Sequence, residues 1–235
     1  MGEGLTYQFE LFAKLRSEKK IEVETLGSTG RWFKQTYSQT PPSAITAHST
    51  WDGKNINSLW YCSKNYRINL IFEEGKLRIR DLHVFSENHP DPFESRVCTT
   101  NEASYYTLPV ADGNIHSGDG VLAGIYFTEP DNGTDIPCKP MTFSEPTEGV
   151  AKADFGSISI ALSEKEISIF RKGGFKVQYR YSSKSDHMPK IISSGEKELN
   201  LLYDGTKYGF DLVFGKFTGP TEIISENDHI TLTLK

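Results

Sequence analysis

Apolar and polar residues alternate with a period of two along most of this chain, as in β-strands with one buried and one solvated face. The alternation is clearest in SISIAL, EISIF, KVQYRY and ITLTL, all between residues 157 and 234. Gly, Asn, Asp and Pro stand in nearly every gap between such segments and mark turns. The pattern predicts an all-β fold, an antiparallel β-sandwich of jelly-roll type, with a two-lobed body as the alternative.

Helical periodicity is nearly absent from the sequence. The best candidate for a helix is residues 9–19, but their apolar positions also alternate and lead into another apolar segment at residues 21–26. We therefore predict strands in both segments and a further strand at residues 31–37.

The domain organisation depends on a proline-rich segment at residues 131–152. Such a segment is either a linker or a long packed connection, and its aromatic and cysteine residues favour packing. We predict a single β-sandwich body over residues 1–235, with a split into residues 1–145 and 150–235 as the alternative.

A hairpin is predicted at residues 66–85, and its second strand has an unusual distribution of charge. Continuing the period of two places Asp81 and His83 on the apolar face of Leu77 and Ile79. Burying an ionisable group costs several kcal/mol unless the group is paired. The strand therefore contains a β-bulge or lines a polar cleft.

The same strand supplies the candidate catalytic residues His83, Asp81 and Arg80. An imidazole oriented by a carboxylate is a general base, and a nearby guanidinium neutralises developing negative charge, as in a lyase, isomerase or cyclase. The alternative is a buried Arg–Asp pair that only stabilises the strand. His89 and Asp91 complete no standard metal-ligand spacing with His83, so neither a metal nor another cofactor is expected.

A second candidate site contains aromatic and amide side chains. Flat indole rings stack on sugar rings, and Asn and Asp side chains pair with sugar hydroxyls. The alternative is a hairpin turn whose two tryptophans pack as core. The residues of this candidate ligand-binding site are Trp51, Asp52, Asn55, Asn57, Trp60 and, if its loop lies at the same end of the sandwich, His116.

Charge and composition exclude some classes of partner. The 235 residues carry a net charge of −5 without a basic stripe, so no nucleic-acid partner is expected. No run of eighteen apolar residues occurs, so no membrane partner is expected. The three cysteines are far apart in the sequence and form no CxxC motif, so neither a zinc cage nor a disulfide framework is expected. The first twenty residues lack a charged leader with an apolar core, which leaves the compartment open between the cytoplasm and a trimmed secreted chain.

Three functions follow from these observations. The first is recognition of an oligosaccharide, alone or as an accessory domain or subunit of a carbohydrate-active enzyme. The second is acid–base catalysis in a His-Asp-Arg cleft. The third is a lipocalin-like barrel that encloses an apolar small molecule. Whether the chain is an enzyme stays open, since none of the common nucleotide-binding or hydrolase motifs is present.

Overall fold

A computed structural model describes residues 2–99, 101, 107–185 and 187–235 of the chain. Strands make up 44% and helices 12% of the structure, which confirms the all-β class. Contacts along the chain group into two compact units, Met1–Thr40 and Pro41–Lys235. This grouping does not decide the division into domains, so the single body and the split near residue 145 stay predictions.

The first unit is helical, and the strands predicted before residue 38 are wrong. It contains α1 (Gly2–Ser17) and α2 (Leu26–Thr36). Thr25 caps the start of α2, because its hydroxyl accepts a hydrogen bond from the amide of Ser28. Phe33 and Tyr37, four residues apart, bring their rings together at its end. Among the described residues, no helix is long and apolar enough to cross a membrane.

The second unit contains two sheets in which every paired strand is antiparallel. In spatial order, the first sheet is β1 (Ser43–Ala47), β2 (Asn57–Cys62), β3 (Tyr66–Glu73), β4 (Lys76–Val84), β6 (Gly124–Thr128), β11 (Lys176–Arg180), β16 (Glu222–Ile224) and β15 (Lys216–Gly219), with β5 (Leu108–Ala111) also paired to β4. The second is β12 (Lys190–Ser194), β13 (Glu198–Tyr203), β14 (Thr206–Phe214), β17 (His229–Leu234), β10 (Glu166–Phe170), β9 (Ser159–Leu162), β8 (Val150–Asp154) and β7 (Thr142–Thr147). A 3-10 helix lies at Pro92–Glu94.

The two sheets pack face to face around one apolar core. Phe72 meets Phe155 near the β7 edge, and Phe210 of β14 meets Phe217 of β15 with 5.8 Å between ring centroids. The sheets do not close into a barrel, so the barrel of the third hypothesis is not formed. The sandwich is confirmed, and its assignment to the jelly-roll class stays a prediction.

The proline-rich segment at residues 131–152 is packed against the sandwich. Ile136 and Met141 are buried in the core, and β7 and the start of β8 lie in the same segment. The sequence pattern did not predict β8 or β15, since neither has a long alternating run.

Of the two alternatives for the second strand of the hairpin, a β-bulge or a polar cleft, the bulge is present in β4. Asn69 of β3 pairs with Asp81. The next residue of β3, Leu70, pairs with Ile79, so Arg80 is an extra residue in β4. The bulge changes which residues face the core from this point onward.

After the bulge, Leu82 and Val84 join the apolar core, with 1% and 2% of their surface exposed. Asp81 and His83 therefore point to the other side of β4. They are nevertheless buried, at 5% and 1% exposure, because chain from the β5 region covers them.

Candidate functional site

The cluster around His83 lies where two strands separate. The first half of β4 pairs with β6, and its second half pairs with β5, which brings Pro109 opposite His83. The chain leaves β5 after Ala111 and enters β6 at Gly124. Residues 112–123 therefore form a loop that begins beside the bulge, and Asp112 is its first residue.

The imidazole of His83 lies between a hydroxyl and a carboxylate. Its Nδ1 lies 2.5 Å from Thr107 Oγ1, and its Nε2 lies 3.0 Å from Asp112 Oδ2. The second contact is short, but Nε2 has no hydrogen-bond partner of good geometry among the described residues. Ligand atoms of Asp81, His83 and Asp112 all lie within 4.8 Å of one another.

Backbone amides hold both carboxylates in place. Asp112 Oδ1 accepts hydrogen bonds from the amides of Asn114 and Ile115, at 2.8 and 2.9 Å. Asp81 Oδ1 accepts one from the amide of Gly113 at 2.9 Å. Burial acts to raise the pKa of Asp112, but its contacts with His83 and the two amides outweigh burial and hold the pKa well below its usual range.

Arg80, the third predicted catalytic residue, lies at the rim of this cluster. Its Nε is 3.5 Å from Asp81 Oδ2, and its side chain is about a third exposed. The structure therefore brings the three predicted catalytic residues together and adds Asp112, which sequence reasoning missed. Asp112 had a weak signal only, as an acid in the Asp- and Gly-rich segment at residues 111–120.

The ring of His116 makes its hydrogen bonds with residues outside the turn that contains Trp51. It is completely buried, its Nδ1 hydrogen-bonds the hydroxyl of Tyr179, and its Nε2 donates to the carbonyl of His187 at 2.9 Å. Burial lowers the pKa of His116. Both ring nitrogens are thus engaged within the protein, so in this conformation they offer no free position to a ligand.

The predicted turn at Asp52 is present. The amide of Gly53 donates to the carbonyl of Thr50, and the amide of Thr50 donates to the carbonyl of Lys54, each at 3.0 Å. Trp51 is 100% exposed, so it does not pack as core. Asp52 is exposed and forms a salt bridge with Lys54 at 3.1 Å.

The other members of the predicted sugar site differ in accessibility. Asn57 is buried, and its side chain donates to the carbonyl of His48 and accepts from the amide of Met141, both at 2.8 Å. Trp60 is half-buried, with the guanidinium of Arg67 5.9 Å from its ring centre. Asn55 is exposed and lines a shallow hollow of about 440 Å³.

A cavity between the two sheets was not anticipated from the sequence. It has a volume of about 150 Å³ and lies at the edge where β15 and β16 face β12, β13 and β14. The described residues that line it are Val110, Ile125, Val177, Tyr179, Tyr181, Met188, Pro189, Ile191, Leu199, Leu201, Phe210, Phe217, Pro220, Thr221 and Ile223. None of these side chains carries a charge, so the cavity favours an apolar occupant.

Comparisons with protein-family models, with curated protein sequences and with solved structures give no match.

Proposed function

We propose that the sandwich binds a small apolar molecule in the cavity between its sheets. The observation that carries the proposal is the lining, in which fifteen uncharged side chains from both sheets and two loops surround about 150 Å³. A cavity of this size lined by aliphatic and aromatic side chains accommodates a molecule of about one aromatic ring. This is the ligand class of the third hypothesis, within a sandwich instead of a barrel.

The energetics of the cavity support an occupant. The cavity opens to solvent beside Ile191 and Tyr181, so its apolar walls lack the contacts of a filled core when no ligand is bound. An apolar ligand restores those contacts and removes apolar surface from water.

The edge of the sandwich offers a route into the cavity. Ile191 of the edge strand β12 lines the cavity and is 42% exposed, and Tyr181 lines it with 38% exposed. A ligand entering between these side chains breaks no strand ladder, because no strand of one sheet pairs with a strand of the other. The amide of Phe217 in β15 donates to the carbonyl of Glu196 in the β12–β13 turn at 2.9 Å. The Tyr181 hydroxyl is suited to contact one polar group at the rim.

The test uses the methyl groups of methionine as reporters. Met188 lines the cavity, whereas Met141 is buried elsewhere in the core. We expect titration of the ¹³C-methyl-methionine-labelled chain with toluene to shift the Met188 resonance in a saturable manner and leave Met141 unchanged. No shift of Met188 up to the solubility limit of toluene contradicts the proposal.

A pair of variants on β12 controls for non-specific effects. Ile191→Trp places a large ring at the mouth of the cavity and is expected to abolish the Met188 response. Ile192→Trp is the matched control, because Ile192 is 40% exposed and does not line the cavity. Equal shifts of the Met188 resonance in both variants would show that toluene does not bind in the cavity.

Carbohydrate recognition stays a second proposal, favoured by the complete exposure of Trp51 and by the hollow of about 440 Å³ that contains Lys54 and Asn55. Trp51→Ala is expected to weaken oligosaccharide binding on a glycan array by about 1–3 kcal/mol. Because the ring is fully exposed, the unfolding midpoint should not change. Trp32→Ala in α2, where Trp32 is 53% exposed, is the control. An absence of glycan binding by the unmodified chain removes this proposal.

A further inference from the structure

We propose that Asp81, His83 and Asp112 form a binding site for a divalent first-row metal ion, with Zn²⁺ as the ion of choice for testing. The three side chains offer one imidazole nitrogen and two carboxylate oxygens within 4.8 Å of one another. Ligand atoms around a four-coordinate Zn²⁺ lie about 3.3 Å apart, given metal–ligand distances near 2.0–2.2 Å. Binding therefore requires the most widely separated ligand atoms of the cluster to approach each other by up to about 1.5 Å.

Each ligand has one atom held by the protein and another directed to the cluster. Oδ1 of Asp112 is held by two amides and Oδ1 of Asp81 by the amide of Gly113. Oδ2 of Asp112 lies 3.0 Å from His83 Nε2, and Oδ2 of Asp81 lies 3.5 Å from Arg80 Nε. His83 Nδ1 contacts Thr107 Oγ1 at 2.5 Å. Metal-binding histidines commonly use their second nitrogen in this way, which fixes the ring and its tautomer.

The Nε2 atom of His83, which lacks a hydrogen bond of good geometry among the described residues, is an independent indication of a ligand. Nε2 is buried, and Asp112 Oδ2 is 3.0 Å away. With Nδ1–H donating to Thr107, the Nε2 lone pair is directed to the cluster, which is the tautomer that a metal ion requires. A cation between Nε2 and Asp112 Oδ2 is coordinated by both atoms.

The local charge balance also favours a cation. Two carboxylates are buried side by side, and Arg80, 3.5 Å from Asp81 Oδ2, is the nearest Lys or Arg partner among the described residues. Buried anions are normally paired or bound to a metal, because an uncompensated charge is expensive to bury. One guanidinium at the rim leaves the pair short of positive charge.

The covering loop has the shape that this arrangement requires. Gly113 lies so close to β4 that a Cβ atom there would be 2.4 Å from Arg80 Cγ. The absence of a side chain allows the loop to bring both the Gly113 amide and Asp112 against the bulge.

The donor set defines the class of metal. Imidazole and carboxylate ligands suit Zn²⁺ and its first-row neighbours, and such a site binds Zn²⁺ more tightly than Mn²⁺ or Fe²⁺. Three protein ligands leave a fourth position, as in sites where a metal holds water or a substrate atom. Zn²⁺ is the probe used because it has no redox chemistry and accepts four-coordinate sites of nitrogen and oxygen ligands.

The experiment is calorimetric titration of the chelator-treated full chain with ZnCl₂. We expect one Zn²⁺ per chain, and we expect Asp81→Asn and Asp112→Asn each to weaken binding at least about 100-fold. Asp119→Asn removes one charge from the same loop at an exposed position and should leave affinity within about twofold. Circular dichroism confirms that each variant is folded.

A second measurement serves if the aspartate variants do not fold. In the unmodified chain labelled with ¹⁵N-histidine, Zn²⁺ should move the Nε2 resonance of His83 much more than those of the exposed His187 and the half-buried His229. Lack of Zn²⁺ binding, binding that survives both aspartate substitutions, or an unchanged His83 Nε2 resonance would overturn the proposal.

Discussion

The hydroxyl of Tyr208 in β14 donates a hydrogen bond to the carbonyl of Pro109 in β5, with 2.5 Å between the two oxygens. This buried bond joins the second sheet to the first. Pro109 lies opposite His83 in the β4–β5 ladder, three residues before Asp112. Tyr208 therefore helps fix the strand that brings Asp112 to the cluster.

Tyr208→Phe is expected to lower the free energy of unfolding by about 1–3 kcal/mol, because the buried carbonyl of Pro109 loses this hydrogen bond. Urea denaturation measures the change. Tyr181→Phe, at a position 38% exposed, should alter stability by less than about 0.5 kcal/mol. Equal effects of the two substitutions would show that the hydroxyl of Tyr208 contributes nothing specific.

The alternation of apolar residues predicted most strands because burial of one sheet face acts directly on local sequence. It also indicated an irregularity in β4, given as a β-bulge or a polar cleft, since Asp81 and His83 conflict with the period of two. It failed at α1 and α2, where the first unit leaves apolar residues such as Phe9 and Trp32 more than half exposed. Exposed apolar residues do not reveal a helical face, although the Thr25 cap was a local signal.

The site was less predictable than the fold because its parts meet only through tertiary contact. Asp112 reaches His83 through the β4–β5 pairing, which no local pattern specifies. The cavity is formed by side chains from both sheets, so its volume depends on how the sheets pack. Even Phe214, which alternation places in the core, is 42% exposed because β14 shifts register after Leu212.

Acid should destabilise the fold through His116. Burial lowers the pKa of His116 in the folded protein, so the unfolded chain takes up a proton at higher pH. The free energy of unfolding is therefore highest above the ordinary histidine pKa, about 6.5. It falls as the pH drops from there towards the lower pKa that His116 has in the folded protein. Protonation would also place a hydrogen on Nδ1, where the Tyr179 hydroxyl now donates.

Denaturant unfolding between pH 7.5 and 5 measures this dependence. His116→Gln keeps a donor and an acceptor but does not titrate, so its stability should fall less over the same range. An NMR titration of the His116 ring should show a pKa below the ordinary histidine value of about 6.5. An identical pH dependence in the variant and the unmodified chain contradicts the assignment.

Two adjacent residues of β14 lie on opposite faces of the sheet, one buried and one exposed. Phe210 is 4% exposed and packs on Phe217, so Phe210→Asp buries an unpaired charge and should prevent folding. Asp211 is exposed and pairs with Lys235 at 2.7 Å, so Asp211→Asn should change stability by no more than about 0.5 kcal/mol. Circular dichroism and thermal melting distinguish the two, and a folded Phe210→Asp protein would show that the register is wrong.

Close approach of the loop to the bulge should make Gly113 intolerant of a methyl group. Its φ lies outside the left-handed region, so the obstacle is contact alone, with the added Cβ 2.4 Å from Arg80 Cγ and 3.2 Å from the Arg80 carbonyl. Gly113→Ala must therefore displace Arg80 or lift the loop away from Asp81. We expect a loss of about 1–3 kcal/mol in the free energy of unfolding and faster hydrogen exchange of the amide at position 113, which now donates to Asp81.

Gly219→Ala is the matched control, because φ there is also outside the left-handed region and a Cβ meets nothing within 4 Å. If both substitutions leave stability and exchange unchanged, the loop does not depend on close contact at Gly113.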